Sequence, residues 1–272
     1  MDKKVVVCDI DNTLIVKHTT LTPRAKAVIQ TLQKHGIYFG IASGRSLIEV
    51  KRMIHVWGFE DLDLLISLNG SILWDGIAKK EYQYYLMKKE WIKEVIAFMS
   101  QFDTNPMMYK GNHLLCGKLD EMVRLSTSSS KMEPVVVDSM ADFYTEDNAK
   151  IMFRTSEEDT KKIEAYFKEH PNGKYRAFKT QSTLIEFSDD RVSKAYTLQK
   201  FCDLHDLSLD DVIAFGDTSN DNDMLMASGW GVCLRNGSED TKAIADEITE
   251  KTCAEDGWAD YMETHVIQPK GW

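Results

Sequence analysis

No two of the five cysteines, Cys8, Cys116, Cys202, Cys233 and Cys253, stand at CxxC spacing. An odd, scattered set suggests neither a disulfide framework nor a zinc cluster, and buried free thiols are expected. The seven histidines contain no HxxxH pair, which leaves no imidazole metal site to propose. No uninterrupted apolar run approaches the roughly 18 residues of a membrane helix, and no charged leader with an apolar core opens the chain. The expected setting is therefore the reducing cytoplasm, with no membrane partner. Basic residues are in deficit: 33 Lys and Arg against 43 Asp and Glu give a formal net charge of -10. That balance argues against nucleic acid and anionic membranes as partners, and makes any anionic ligand depend on a locally positive site. No internal repeat is visible.

What the chain does have is length and apolar content. At 272 residues with 43% hydrophobic composition it can fill a sizeable core and exceeds the usual single domain. Strand and helix alternate from the start. The run VVVCDI reads as a buried strand, and TPRAKAVIQTLQKHG as an amphipathic helix with Thr22 as cap, Pro23 at its first position and Gly36 as its stop. A short run IYFGIA follows, then a helix through SLIEVKRMIHVW closed by Gly58, then LLISLN before Gly70. Such units predict a parallel sheet with helices on both faces.

Between about Asp75 and Phe187 the pattern changes. It offers strand-like EYQYYL, a helix with Trp91, Val95, Phe98, Met99 and Phe102 on one face, strands around MMYK and HLLC, a helix EEDTKKIEAYFKEH, and runs near KYRAFK and TLIEF. The polar stretch Ser126 to Lys131, STSSSK, reads as a connector. Alternation then resumes: SKAYTLQKFCDLHD is a helix capped by Ser193, DVIAF a buried strand, NDNDMLMAS a helix start and WGVCL a further strand. The expected fold class is α/β, a Rossmann-like parallel-sheet core of residues 1–80 and 188–272 interrupted by an α+β domain of residues 81–187.

One feature of the first strand needs a cause. Asp9 and Asp11 follow it directly, where desolvation is most expensive, and two positions along a strand share one side. Such carboxylates must be paired, protonated or bound to a cation. Three other strand or helix ends are similarly polar: ASGR after the second strand, RVSK at a helix start, and FGDTSND after a late strand. Read alone, each is an ordinary turn or cap; Lys194 by itself is a solvated helix charge, and Asn220 and Asp221 cap the helix that follows.

Together they resemble the motifs of the haloacid dehalogenase superfamily of phosphohydrolases: DIDNTL with Asp9, Asp11 and Thr13; SGR with Ser43 and Gly44; Lys194; and GDTSNDNDML with Asp217, Asn220 and Asp221. LNG at Leu68 to Gly70 and the late EDGW resemble the Cof-type branch, whose large inserted domain caps the site. The resemblance implies a phosphatase in which Asp9 is the nucleophile and forms an aspartyl-phosphate, and Asp11 protonates the leaving group and then activates water. It also implies Mg²⁺ as cofactor, held by the Asp9 and Asp217 carboxylates and the Asp11 backbone carbonyl, with Asp221 orienting from behind. Lys194 adds positive charge, while Thr13, Ser43, Gly44 and Asn220 face the phosphate oxygens.

The physics agrees with such a metal. Two unit charges 4 Å apart at an effective dielectric near 20 repel by roughly 4 kcal/mol, and a helix N-terminus returns only about 0.3 to 2 kcal/mol. An anionic nucleophile therefore needs a cation to approach an anionic phosphate.

The substrate class is expected to be a small phosphorylated metabolite, with sugar phosphates leading. A phosphomutase of the phosphomannomutase type is the alternative within catalysis, and a sugar-phosphate sensor the alternative outside it. A DxD glycosyltransferase would leave Lys194 and GDTSND unexplained. Monomer and homodimer both remain open. His113, Arg176 and Lys179 are candidates for substrate contact in the inserted domain, though surface charge is the readier explanation. Trp91, Met99 and Met224 read as core. The chain departs from the family pattern at Asn12, where glycine is common, at Ala195, at Arg235 before Asn236, and at Asp189, Asp190 and Arg191.

Overall fold

The computed structural model describes residues 3–16 and 19–272. The chain opens with β1 (Val5–Cys8), α1 (Pro23–Lys34), β2 (Tyr38–Ala42), α2 (Leu47–Val56) and β3 (Leu64–Ser67), then turns back through β4 (Ile72–Asp75) and β5 (Lys80–Gln83). Next come α3 (Lys89–Met99), β6 (Asn105–Lys110), β7 (His113–Cys116), α4 (Glu121–Ser130), β8 (Glu133–Val136), β9 (Lys150–Arg154), α5 (Glu157–Glu169), β10 (Tyr175–Gln181) and β11 (Leu184–Asp189). The last part holds α6 (Lys194–Leu204), β12 (Val212–Gly216), α7 (Asn222–Ala227), β13 (Trp230–Cys233), α8 (Glu239–Ile244), β14 (Glu247–Ile248) and α9 (Gly257–Met262), which continues through a π turn (Glu263–Ile267).

Two compact units result, Met1–Tyr84 with Ser193–Trp272, and Tyr85–Val192. The divisions fall later than residues 80 and 187. β5 still pairs with β4 in the first sheet, and β11 runs to Asp189 in the second.

The first unit is built on an eight-stranded sheet in the order β14-β13-β12-β1-β2-β3-β4-β5. From β14 to β3 the strands are parallel; β4 and β5 are antiparallel additions, so the sheet is mixed rather than wholly parallel. Alternation along β1 feeds both faces. Val6 and Cys8 join a cluster with Ile29 and Leu32 of α1, Val50 of α2 and Met262 of α9, while Val5 and Val7 join Leu198 and Phe201 of α6 and Met224 of α7. Local chemistry agrees with the packing. Thr22 caps α1 by accepting from Ala25 N–H, and Ser46 and Glu49 form a reciprocal capping box at the start of α2.

The second unit is a six-stranded sheet in the order β10-β11-β9-β6-β7-β8. Ile92, Val95 and Met99 of α3 and Ile163 of α5 pack with Ile151, Phe153, Ile185 and Phe187 of the sheet. Phe102 lies past the end of α3, its N–H bonded to the Met99 carbonyl, and Trp91 and Phe98 are only half-buried. Strand β9 was not expected, because Lys150 and Arg154 bracket its short apolar centre. Ser126 to Lys131 is a correction as well: it is not a connector but the second half of α4, ending at Lys131 with φ 55°. Asp120 caps this helix by accepting from Val123 N–H, and buried Val123 gives it a packing face that its serine-rich end does not advertise.

All five cysteines are buried and free. Among the described residues no helix is long and apolar enough to cross a membrane.

Candidate active site

The site residues of the first unit lie where strands of its sheet end. Asp9 N–H donates to the Phe215 carbonyl at 3.0 Å, extending the β1–β12 ladder by one residue and setting Asp9 beside the end of β12. Asp217 follows the last residue of β12, and the turn after it folds Asp221 back over Gly216. A Cβ on Gly216 would stand only 2.4 Å from that of Asp221, so glycine is required there.

Lys194 is the first residue of α6 and is fully enclosed. Its ammonium donates to Asp9 Oδ1 at 2.7 Å and to Asp221 Oδ1 at 2.6 Å. Ser193 caps the helix through Tyr196 N–H. Gly70 lets the helix start approach, since a Cβ there would lie 2.2 Å from the Ser193 carbonyl oxygen, and Thr197 donates to the Gly70 carbonyl. The other oxygen of Asp221 accepts from the N–H groups of Asp217 and Thr218, at 3.0 and 3.2 Å. Asp221 thus caps the turn and anchors the lysine at once.

Asp9, Asp217 and Asp221 bring carboxylate oxygens within 4.8 Å of one another, all buried. One ammonium faces three carboxylates, so full ionisation leaves two negative charges in a desolvated place. Burial, only partly opposed by Lys194 and reinforced by Asp221 and Asp217, pushes the Asp9 carboxyl well above the ordinary range. Burial and the Asp221 charge push Asp217 up to about 6 against the Thr13 hydrogen bond. Desolvation alone would lower Lys194, but the Asp221 and Asp9 charges outweigh it and raise the ammonium.

The surplus negative charge is what a cation would offset. Both Asp221 oxygens are committed, whereas Oδ2 of Asp9 and Oδ2 of Asp217 accept from no described residue. A hard divalent cation such as Mg²⁺ suits that oxygen-only donor set and its charge.

Thr13 is enclosed, and its hydroxyl donates to Asp217 Oδ1 at 2.8 Å. In this structure the side chain serves a carboxylate. Asp11 is held by a neighbouring base. Arg45 forks onto its carboxylate, Nε to Oδ2 and Nη2 to Oδ1, and reaches Glu49 at 3.8 Å. Arg45 stands in SGR, where the motif assigns it no role. Its signal was its place one residue beyond Gly44, which no periodicity argument could pair with Asp11.

The remaining expected residues group around the same loops. Ser43 is buried, with its N–H on Ile66, its carbonyl accepting from Asn69 N–H and its Oγ accepting from Arg45 N–H, so its own hydroxyl proton stays available. Asn69, which no expectation singled out, lies in a left-handed run with Leu68 and Gly70, at φ 57°, 52° and 112°. Its side-chain oxygen is 3.4 Å from the Asn220 amide and would meet a Cβ on Gly44 at 3.1 Å. Asn220 is exposed and also accepts from the Thr218 hydroxyl. The amides of Ile10 and Asp11 donate to no described residue, which leaves two N–H groups beside Asp9 for an anion.

In the second unit, His113 is exposed and 3.4 Å from Glu133, Arg176 donates to the Val192 carbonyl, and Lys179 N–H is taken by Glu164. Those contacts account for local structure.

Several known proteins resemble this chain. A 5-amino-6-(5-phospho-D-ribitylamino)uracil phosphatase of Bacillus subtilis is 24% identical over 276 residues, covering 96% of both chains. A pyridoxal phosphate phosphatase of Escherichia coli is 23% identical and covers 98% of this chain and 100% of its own. The crystal structure of a haloacid dehalogenase-like hydrolase from Bacteroides thetaiotaomicron shares the fold with TM-score 0.84 at 23% identity, over 96% of this chain and 99% of that one. A family model described as haloacid dehalogenase-like hydrolase matches residues 6–262, and the chain belongs to that family.

Proposed function

We propose that this chain is a Mg²⁺-dependent phosphatase of small phosphorylated metabolites, working through an aspartyl-phosphate on Asp9. The observation that carries the reading is the Asp9–Lys194–Asp217–Asp221 cluster, buried at strand ends, with more negative charge than its own lysine offsets. Mg²⁺ held by Asp9, Asp217 and the Asp11 backbone carbonyl would offset that charge and draw electron density from the phosphoryl oxygens.

Attack uses one Asp9 oxygen while the other would face the cation; Oδ1 already accepts from Lys194. Attack forms an O–P bond to Asp9 and breaks the ester O–P bond, and the leaving oxygen takes a proton from Asp11. Asp11 then removes a proton from water, whose oxygen attacks phosphorus, releasing inorganic phosphate and restoring the Asp9 carboxylate. The Ile10 and Asp11 amides, the Ser43 hydroxyl and Asn220 are suited to hold the phosphoryl oxygens. Lys194 holds Asp9 in one orientation. Both Asp11 oxygens accept from Arg45, so the acid role requires one of them to leave the fork.

We further propose a cytoplasmic setting, a selectivity role for the unit Tyr85–Val192, and sugar phosphates as the leading substrates. The two curated relatives are named for other metabolites, and both of those belong in the test. Purified protein with Mg²⁺ is given p-nitrophenyl phosphate, hexose and pentose phosphates, pyridoxal phosphate and the ribitylaminouracil phosphate, and specificity constants are ranked. Phosphate release from some member, lost in Asp9→Asn and in excess chelator, is expected. Turnover unchanged in Asp9→Asn overturns the mechanism, and isomerised sugar phosphate without free phosphate makes the chain a mutase.

A further inference from the structure

The turn from Asp11 to Thr13 carries the acid the reaction would use, and the Leu14 and Ile15 N–H groups close it onto the Ile10 carbonyl. Asn12 sits at its centre with φ 65°, a conformation that costs an L-residue energy unless neighbours impose it. Its N–H donates to the Ile15 carbonyl at 2.7 Å, which fixes the first peptide group and with it the opposite-pointing Asp11 carbonyl. The second peptide group is fixed from elsewhere: the Asn12 carbonyl accepts from the side-chain amide of Asn236 at 2.8 Å.

Asn236 is well placed to impose that conformation. It lies on the tight turn after β13, closed by Gly237 N–H to the Leu234 carbonyl, and the next residue, Ser238, donates its N–H to the Asp217 carbonyl at 2.8 Å. The Asn236 side-chain oxygen accepts from Cys253 N–H at 2.7 Å. One amide thereby ties the turn after β1 to the loop before α9, from a short segment that is itself bonded to the Asp217 backbone. The residue is exposed, so it adds little to the packed core.

We infer that Asn236 is a positioning residue: by holding the peptide plane after Asn12 it keeps Asn12 left-handed, so that the Asn12 N–H stays on Ile15 and the Asp11 carbonyl of that same peptide group keeps its aim. This rests on the phosphatase reading, and an aryl phosphate assay separates the two. Asn236→Asp keeps the acceptor for Cys253 N–H but sets a carboxylate against the Asn12 carbonyl; Asn236→Ala removes both bonds. Arg235→Ala is the control, because it removes the bond from the neighbouring side chain to the Glu250 carbonyl on the same loop without touching Asn12.

With p-nitrophenyl phosphate, both Asn236 variants should lower kcat by about 10- to 100-fold with KM changed by less than about 3-fold. They should also need more Mg²⁺ to reach half of the thermal shift that Mg²⁺ produces in the wild type, while melting without metal stays within a few degrees. Arg235→Ala should match the wild type throughout. Full kcat and an unchanged Mg²⁺ midpoint in either Asn236 variant overturn the inference, as does an equal loss in Arg235→Ala. If the wild type releases no phosphate from any ester, the phosphatase reading fails, and the Mg²⁺ midpoint still decides the role of Asn236.

Discussion

Arg45 closes on Asp11 with two parallel hydrogen bonds of 2.8 Å, a fork that holds the carboxylate in one plane. The pair is partly exposed, with side chains 20% and 25% accessible, so its value to folding is small. Its value to the reaction follows from orientation. Arg45→Ala is expected to lower kcat for an aryl phosphate by about 10-fold or more while changing stability by about 1 kcal/mol or less. Arg45→Lys should fall between, because a single ammonium cannot reproduce the fork. Equal kcat in all three proteins would remove Arg45 from the reaction.

The Asp217 carboxyl titrates near 6 in the folded chain, above the roughly 3.9 of an unfolded aspartate. Between those values the folded state binds more protons, so stability is full below about pH 4 and declines as pH rises through 6, by about 3 kcal/mol in all. Asp9 is shifted in the same direction. In chelator, Asp217→Asn should therefore gain stability over the wild type progressively from pH 4 to 7. Mg²⁺ should raise the wild-type melting temperature more at pH 7.5 than at pH 5, because it binds the ionised form. A pH-independent difference between the two proteins would contradict the assignment.

Lys194 is fully buried between Asp9 and Asp221. Lys194→Met keeps most of the volume and strands both carboxylates, so unfolding in chelator at pH 7 should become easier by about 3 to 5 kcal/mol. Because the stranded charge eases as carboxylates protonate, the loss should shrink below pH 5. Denaturant titrations at the two pH values test both statements, and a loss that grows on acidification would refute them.

The second unit carries its own buried pair. Lys150 Nζ lies 2.8 Å from Glu186, both side chains nearly inaccessible, and Thr180 donates to the other Glu186 oxygen. Lys150→Met alone should cost about 3 to 5 kcal/mol, whereas Lys150→Met with Glu186→Leu should recover most of it. Failure of the double variant to recover would mean that the pair specifies the sheet rather than merely neutralising itself.

Legibility differed by element for physical reasons. Strands β1 and β12 are wholly apolar and end in acids, and α1 carries Thr22, Pro23 and Gly36 at its ends, so each announces itself locally. β9 is buried along its whole length, but Lys150 and Arg154 make it look like a surface segment; Glu186 on β11, the Tyr109 ring and the polar partners of Arg154 account for their burial. The end of α4 is serine-rich, with middling helix propensity, and its helix depends on Val123 and Thr127 having something to pack against.

Within the site, two acids after a buried strand marked Asp9 and Asp11 as needing a partner or a cation, and the family resemblance of the motifs marked Lys194, Asp217 and Asp221. Partner choice was not written there. Thr13 serves Asp217, Arg45 takes Asp11, and Asn236 reaches Asn12 across 224 positions of sequence. By itself the sequence determined the alternation of elements, the chemistry gathered at their ends and the family. Only the tertiary structure decided which donor meets which carboxylate, because hydrogen-bond partners are set by distances of a few ångströms between loops that nothing in their own composition relates.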